Sequence, residues 1–180
     1  MEHLAGIPGT LGGAVAMNAG AFGTEIQNLL RQVTFLENGE IQTVTVQNGD
    51  LGYRYSRFHA PERIVLEAVL ELTPDSGSAE SEMEDCLARR NRKQPLDYPS
   101  AGSVFKRPEG AYAGSLIEQC GLKGERVGDA QVSMKHAGFI INLGHATEKD
   151  VMTLIERVQE RVLRETGYRL EREIKLLSEA

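Results

Sequence analysis

The opening of this chain cannot form a long helix or a long strand. The run GIPGTLGGAVAMNAGAFG sets Gly6, Gly9, Gly12, Gly13, Gly20 and Gly23 among small apolar residues, six of the nineteen glycines in the sequence. Each glycine inside a regular element costs about 0.5–1 kcal/mol relative to alanine, and in return it permits positive φ and close backbone approach. The segment therefore reads as turns around a short helix. Its backbone N–H groups could form an anion nest for a pyrophosphate. A tight turn feeding a close-packed helix explains the same composition. Neither the GK[ST] ending of a P-loop nor a GxGxxG spacing behind a strand is present, so the motif alone does not choose between these readings.

Downstream, VTFLE and EIQTVTV flank Asn38-Gly39, the residue pair favoured for a type I′ turn, which predicts a hairpin over Val33 to Val46. From Arg63 to Leu72 the residues Ile64, Leu66, Ala68, Leu70 and Leu72 alternate with Val65, Glu67, Val69 and Glu71, predicting a strand with one face in the core. TPDSGSAE breaks that pattern. A helix is predicted from about Ala79 to Arg92, with Met83, Cys86 and Leu87 inward. The Pro-rich QPLDYPSAGSVFKRP is a loop, followed by a short helix with Leu116, Ile117 and Cys120 inward and Gly121 as its stop. Phe139 to Leu143 reads as a short buried strand. Thr147 with Asp150 resembles a capping box ahead of Val151, Leu154, Ile155, Val158 and Val162, and Gly167 ends that helix. A last strand places Leu170, Ile174 and Leu176 on one face and Glu171 and Glu173 on the other. The fold class is α+β, in two lobes divided near Asp75 to Ser78.

Charge narrows the function. A net charge of -6 from 26 acidic and 20 basic residues offers no field for nucleic acid or an anionic membrane. No run of about 18 apolar residues and no signal peptide is visible, which points to a cytoplasmic protein. Cys86 and Cys120 stand far apart in helical patterns and read as reduced core residues. Four histidines show no metal-ligand spacing, so no metal is expected.

Other segments bring polar chemistry together. Tyr53-Arg54-Tyr55-Ser56-Arg57 concentrates two guanidiniums and two phenols, a composition suited to gripping a carboxylate or phosphate, or to a solvated loop. Ser103 follows Gly102 and precedes Lys106 and Arg107, which sets a hydroxyl beside positive charge; a turn serine bonded to its own backbone would look the same. A serine hydrolase using Ser103, His136 and a carboxylate shares these residue types but lacks the GxSxG elbow. Glu173 could equally be a solvated edge charge. Arg89, Arg92 and Lys93 are candidates for a diphosphate, or simply a basic helix end.

Taken in order, GIPGTLGGAVAMNAGAFG, GYRYSRF, RKQPLDYPSAGSVFKRP, GLKGERVGDAQVSMKHAGFIIN and LEREIKLL resemble the UDP-N-acetylenolpyruvoylglucosamine reductase family along the whole chain. The resemblance implies that residues 1–78 form the second half of a two-part FAD-binding domain. It implies that residues 79–180 form an α+β UDP-sugar-binding domain whose last strand returns to the active site. It begins almost at the first residue, so the family's first flavin half-domain is expected to lie outside this chain. The implied activity is reduction of UDP-N-acetylglucosamine enolpyruvate to UDP-N-acetylmuramate for peptidoglycan synthesis, with FAD as cofactor and NADPH as hydride donor. The alternative is a non-catalytic UDP-sugar-binding module. Carried over by motif, Arg54 and Glu173 would stabilise the developing enolate-like form and Ser103 would deliver the proton. Glu173 fits that role only when protonated or hydrogen-bonded, since a bare carboxylate would repel the charge. Ile7, Pro8, Gly9, Thr10, Gly12, Gly13, Ala14, Asn18 and Gly20 would line the flavin, and Tyr53, Lys106, Arg107 and His136 would meet the substrate. Phe22 stands where some relatives carry tyrosine, and the short stretch from Glu67 to Ala79 resembles the shorter family subtype. No protein partner is implied.

Overall fold

A computed structural model describes residues 1–177. The chain separates into two compact units, Met1–Arg90 and Asn91 onward, so the division falls inside a helix and later than the Asp75–Ser78 linker. Both units mix helices with antiparallel sheet, which makes the fold α+β.

In the first unit the glycine run folds as its composition requires. Helix α1 (Leu11–Ala16) is short and opens on Thr10, whose side chain accepts the Gly13 N–H. Strands β1 (Gly20–Ala21) and β2 (Thr24–Glu25) then form a small hairpin. The long hairpin follows as β3 (Leu30–Glu37) and β4 (Glu40–Thr45), turning at Asn38 (φ 51°) and Gly39 (φ 85°) as the type I′ pair demands. Strands β5 (Leu51–Gly52) and β6 (Tyr55–Ser56) pair with each other, and β7 (Arg63–Leu70) completes a three-stranded sheet in the order β4-β3-β7. Val15, Ile26, Leu30, Val33, Phe35, Leu51 and Phe58 form the core, with the Phe35 and Phe58 rings edge to face at 5.6 Å.

The alternation read along β7 is corrected here. Ile64 and Leu66 are exposed, while Val65, Ala68 and Leu70 pack on the core. The register against β3 shifts between Thr34↔Glu67 and Phe35↔Val65, and such an irregularity reverses which face a period-two pattern presents. A second shift between Leu30 and Gln32 explains why Leu30, Val33 and Phe35 share the core despite their uneven spacing. After β7 an irregular segment leads to α2 (Ala79–Lys93), where Asp75 Oδ1 accepts the N–H groups of Gly77, Ser78 and Ala79. Cys86 is buried as expected, whereas Met83 is 39% exposed.

The second unit is a sheet in the order β8-β11-β10-β9, from β8 (Ser100–Ser103), β9 (Arg126–Val127), β10 (Ala130–Val132) and β11 (Phe139–Asn142). Its core gathers residues of the sheet, of α3 (Ala113–Gln119) and of α4 (Glu148–Thr166). Thr147 and Asp150 form a reciprocal capping box, and Gly167 closes α4 at φ 76°. Leu154, Ile155, Val158 and Val162 are essentially fully buried, each contributing about 1.5–3 kcal/mol. Among the described residues the final segment carries a single bridge, Phe105↔Arg172, where a strand was expected. Two backbone bonds, Glu173 N to Val104 O (2.8 Å) and Lys106 N to Glu171 O (2.8 Å), tie it to the residues after β8. Residues 178–180 lie outside the described part.

Candidate functional site

The glycine loop presents Pro8, Gly9, Thr10 and Gly13 at the surface, with Ile7, Gly12 and Ala14 half-buried. Gly9 (φ 142°) has open space where a side chain would be, so its backbone is accessible to a flat or anionic ligand. Two members of the loop are accounted for within the protein. Asn18 is fully buried: its amide donates to Glu25 Oε2 and to Gly52 O, both at 2.8 Å, and its carbonyl accepts the Gln27 N–H at 3.1 Å. Both amide protons are thus consumed holding β1–β2 against β5–β6. A Cβ on Gly20 would sit 2.7 Å from Glu25 Cγ, so hairpin packing by itself requires glycine there.

The Tyr53-Arg54 pair is the turn between β5 and β6. Arg54 sits at φ 53°, a region that costs a non-glycine residue on the order of 1–3 kcal/mol, and such strain concentrates at functional sites. Its guanidinium lies 5.1 Å from the centre of the exposed Tyr53 ring. Arg57, the other guanidinium of the motif, pairs with Asp50 at 3.1 Å.

In the second unit the structure brings Ser103 and Glu173 close in space though they are far apart in sequence. Ser103 ends β8 opposite Phe139 and is exposed, and the backbone of Glu173 bonds to the next residue, Val104. Arg54 belongs to the first unit. Lys106 is ion-paired to Glu171, and the Arg107 guanidinium stacks 4.0 Å above Tyr112. Exposed pairs of this kind are worth little and yield readily to a ligand.

His136 is held most closely. Ser133 Oγ accepts the N–H groups of Lys135 (3.1 Å) and His136 (3.3 Å), which shapes the turn between β10 and β11. The ring then enters a slot that exists because two neighbours lack a side chain. A Cβ on Gly114 would lie 3.3 Å from His136 Cε1, and one on Gly138 would lie 3.1 Å from it. Gly138 N–H donates to Nδ1 at 3.1 Å, which assigns the ring proton to Nε2, and Phe139 packs edge-on at 4.9 Å. Burial lowers the His136 pKa from its ordinary value near 6.5, so the neutral donor form is favoured. Sequence spacing did not single out Gly114, because the contact arises only when α3 meets the β10–β11 turn.

Glu2, His3 and Glu82 form a cluster the sequence did not foresee, with ligand atoms within 4.8 Å of one another. His3 Nδ1 is bonded to Thr24 Oγ1 at 2.8 Å and Nε2 faces Glu82 at 3.7 Å, the contacts of a surface ion-pair cluster.

Comparison with known proteins decides the family. Residues 94–177 match the C-terminal domain of UDP-N-acetylenolpyruvoylglucosamine reductase. The reductase of that name from Agathobacter rectalis is 52% identical over 99% of this chain and 58% of its own length. The chain belongs to the UDP-N-acetylenolpyruvoylglucosamine reductase family. The family member from Exiguobacterium sibiricum is 48% identical over 99% of this chain and 60% of its own length. The crystal structure of the reductase from Thermus caldophilus superposes with a TM-score of 0.84 at 40% identity, covering 97% of this chain and 62% of that one. The chain therefore spans about 60% of the length of these family members. The domain match begins at residue 94, close to the start of the second unit, while the relatives align through both units. Among the described residues, no helix is long and apolar enough to cross a membrane.

Proposed function

We propose that this chain takes part in the NADPH-dependent reduction of UDP-N-acetylglucosamine enolpyruvate to UDP-N-acetylmuramate, the cytoplasmic reaction that supplies peptidoglycan synthesis. The observation that carries the reading is the 52% identity, over 99% of the chain, to a relative named for this reductase activity. The exposed backbone at Gly9 and the surface run Pro8 to Thr10 fit a dinucleotide such as FAD, with Ile7, Gly12, Gly13 and Ala14 completing the wall. Asn18 and Gly20 support that wall from behind. Bound FAD would supply the hydride, replenished by NADPH.

The chain's own residues manage charge and protons. Hydride addition to the enol ether's terminal carbon leaves negative charge next to the substrate carboxylate. Arg54, in the two-residue turn with its guanidinium 5.1 Å from the Tyr53 ring centre, offers a positive charge to that developing anion. Ser103, exposed at the end of β8, donates its hydroxyl proton to the carbon that carries the charge. Glu173, backbone-bonded beside it, serves the same centre as the carboxylic acid, donating a hydrogen bond to the developing charge. His136 in its neutral form donates from Nε2 to a substrate oxygen, and Tyr53, Lys106 and Arg107 hold the nucleotide-sugar.

The test is Ser103→Ala, in this chain joined to the portion of its relatives' length that it does not span. Stopped-flow absorbance separates flavin reduction from reoxidation by the enolpyruvyl substrate. The first should stay near normal and the second should fall by about 10²- to 10⁴-fold, with Ser103→Cys recovering part of the loss. Equal effects on both halves, or on neither, would return Ser103 to the role of a turn residue. A protein that binds the UDP-sugar but never gains flavin absorbance would favour the non-catalytic module.

A further inference from the structure

A proline leaves one carbonyl of α2 without its helical donor. The Asn91 carbonyl, in the last turn of the helix, would accept the N–H of the fourth residue on, but that residue is Pro95 and has none. Lys135, 44 residues away in sequence, takes the place: its Nζ donates to Asn91 O at 2.8 Å. The contact sets a positive charge at the negative end of the helix, and it orders a long side chain that water would otherwise leave mobile. Asn91 and Lys135 belong to the same unit.

Lys135 precedes His136 in a turn whose shape is already fixed from within. Ser133 is buried and its Oγ accepts the N–H groups of both residues. Ser133 N–H donates to Phe139 O at 2.9 Å and Phe139 N–H to His136 O at 3.0 Å, which closes the turn on itself. These bonds shape the turn without placing it. At its far end, Val104 N–H donates to Gly138 O at 2.9 Å and ties it to the residue after Ser103. At its near end, Lys135 ties it to the helix from which the chain runs on to β8 and Ser103.

We propose that Lys135 is a positioning residue for the enolpyruvyl substrate: by bonding Asn91 O it holds the His136 turn against the end of α2, so that the neutral imidazole meets the substrate in one orientation. The inference rests on the reductase reading, in which His136 and Ser103 serve the same substrate. A donor held in place beforehand binds more tightly, because the ligand does not have to order it. Loss of the tether therefore weakens binding more than it slows the chemical step.

Native-state hydrogen exchange, followed by NMR on the 180-residue chain, tests the tether without any reaction. In Lys135→Met, which keeps the length and loses the donor, the Gly138 amide bonded to His136 Nδ1 should exchange at least about tenfold faster; Lys135→Arg should stay within about threefold of wild type. The joined chain used for Ser103→Ala tests the consequence. There Lys135→Met should raise the substrate concentration that half-saturates flavin reoxidation about tenfold, change the limiting rate less than about threefold and leave flavin reduction by NADPH unmoved, with Lys135→Arg recovering most of the loss. Unchanged Gly138 exchange overturns the proposal whatever reaction the chain serves. Faster exchange with an unchanged substrate dependence overturns the positioning assignment, as does a limiting rate that falls as far as the half-saturation rises. A joined wild-type chain that the substrate never reoxidises sinks the reductase reading, and the assignment to this substrate with it, while exchange still decides the tether. In the unmodified chain the Lys135 ammonium protons should exchange with water several times more slowly than those of the exposed Lys149, and equal rates overturn the proposal even where a variant does not fold.

Discussion

Replacing Gly138 by alanine tests whether the His136 slot is as tight as its geometry states. Gly138 does not sit at positive φ, so the new methyl meets no backbone penalty of its own. Its cost comes from the ring. The added Cβ would be 3.1 Å from His136 Cε1 and 3.2 Å from Nδ1, with Gly114 Cα at 3.8 Å behind. The ring must shift by a few tenths of an ångström or more, and the Gly138 N–H to Nδ1 bond at 3.1 Å is strained or lost. Losing a partly buried hydrogen bond costs about 1 kcal/mol. Overpacking adds about 1–2 kcal/mol. Against these, alanine gains about 0.4–1 kcal/mol by reducing the freedom of the unfolded chain. The net expectation is a destabilisation of about 1–2 kcal/mol, a five- to thirtyfold change in the folding equilibrium. Urea unfolding followed by circular dichroism measures it, since the sequence contains no tryptophan. His136→Ala in the same background removes the obstacle, so the double variant should recover most of the loss. A Gly138→Ala protein as stable as wild type, with the His136 ring resonances unmoved, would refute the slot.

Two further outcomes follow from the same geometry. Burial lowers the His136 pKa below its ordinary value near 6.5, so as pH falls the unfolded chain takes up this proton before the native protein does. Stability from this group is therefore complete above that value and declines until the folded pKa is passed; urea midpoints between about pH 8 and pH 5 should fall less in His136→Gln than in wild type, and identical slopes would contradict the assignment. Arg54→Gly relieves a left-handed backbone and removes a guanidinium, so its urea midpoint should equal or exceed that of wild type, while on the proposed function flavin reoxidation by the enolpyruvyl substrate, in the joined chain used for Ser103→Ala, should drop by about 10²- to 10³-fold. A clear loss of stability would show that Arg54 is held for folding.

Local chemistry was legible in the sequence wherever its partners lie within a few residues. The Asn38-Gly39 turn, the Thr147–Asp150 capping box, the Gly167 stop and the buried stripe of α4 are short-range features, and the structure carries each of them. The same holds for the glycine run, whose crowding forbids any long element. Long-range contact decided the rest. Alternation along β7 could not reveal its core face, because the shift that reverses it belongs to the pairing with β3. Asn18 stood in a motif that suggested a ligand, yet Glu25, Gln27 and Gly52 claim its amide. Ser103 and Glu173 became neighbours through one bridge between Phe105 and Arg172. Gly114 and Gly138 acquired their purpose from a histidine ring lodged between them. Periodicity and capping are properties of a few adjacent residues, whereas the partner of a buried polar group is chosen by how distant segments pack.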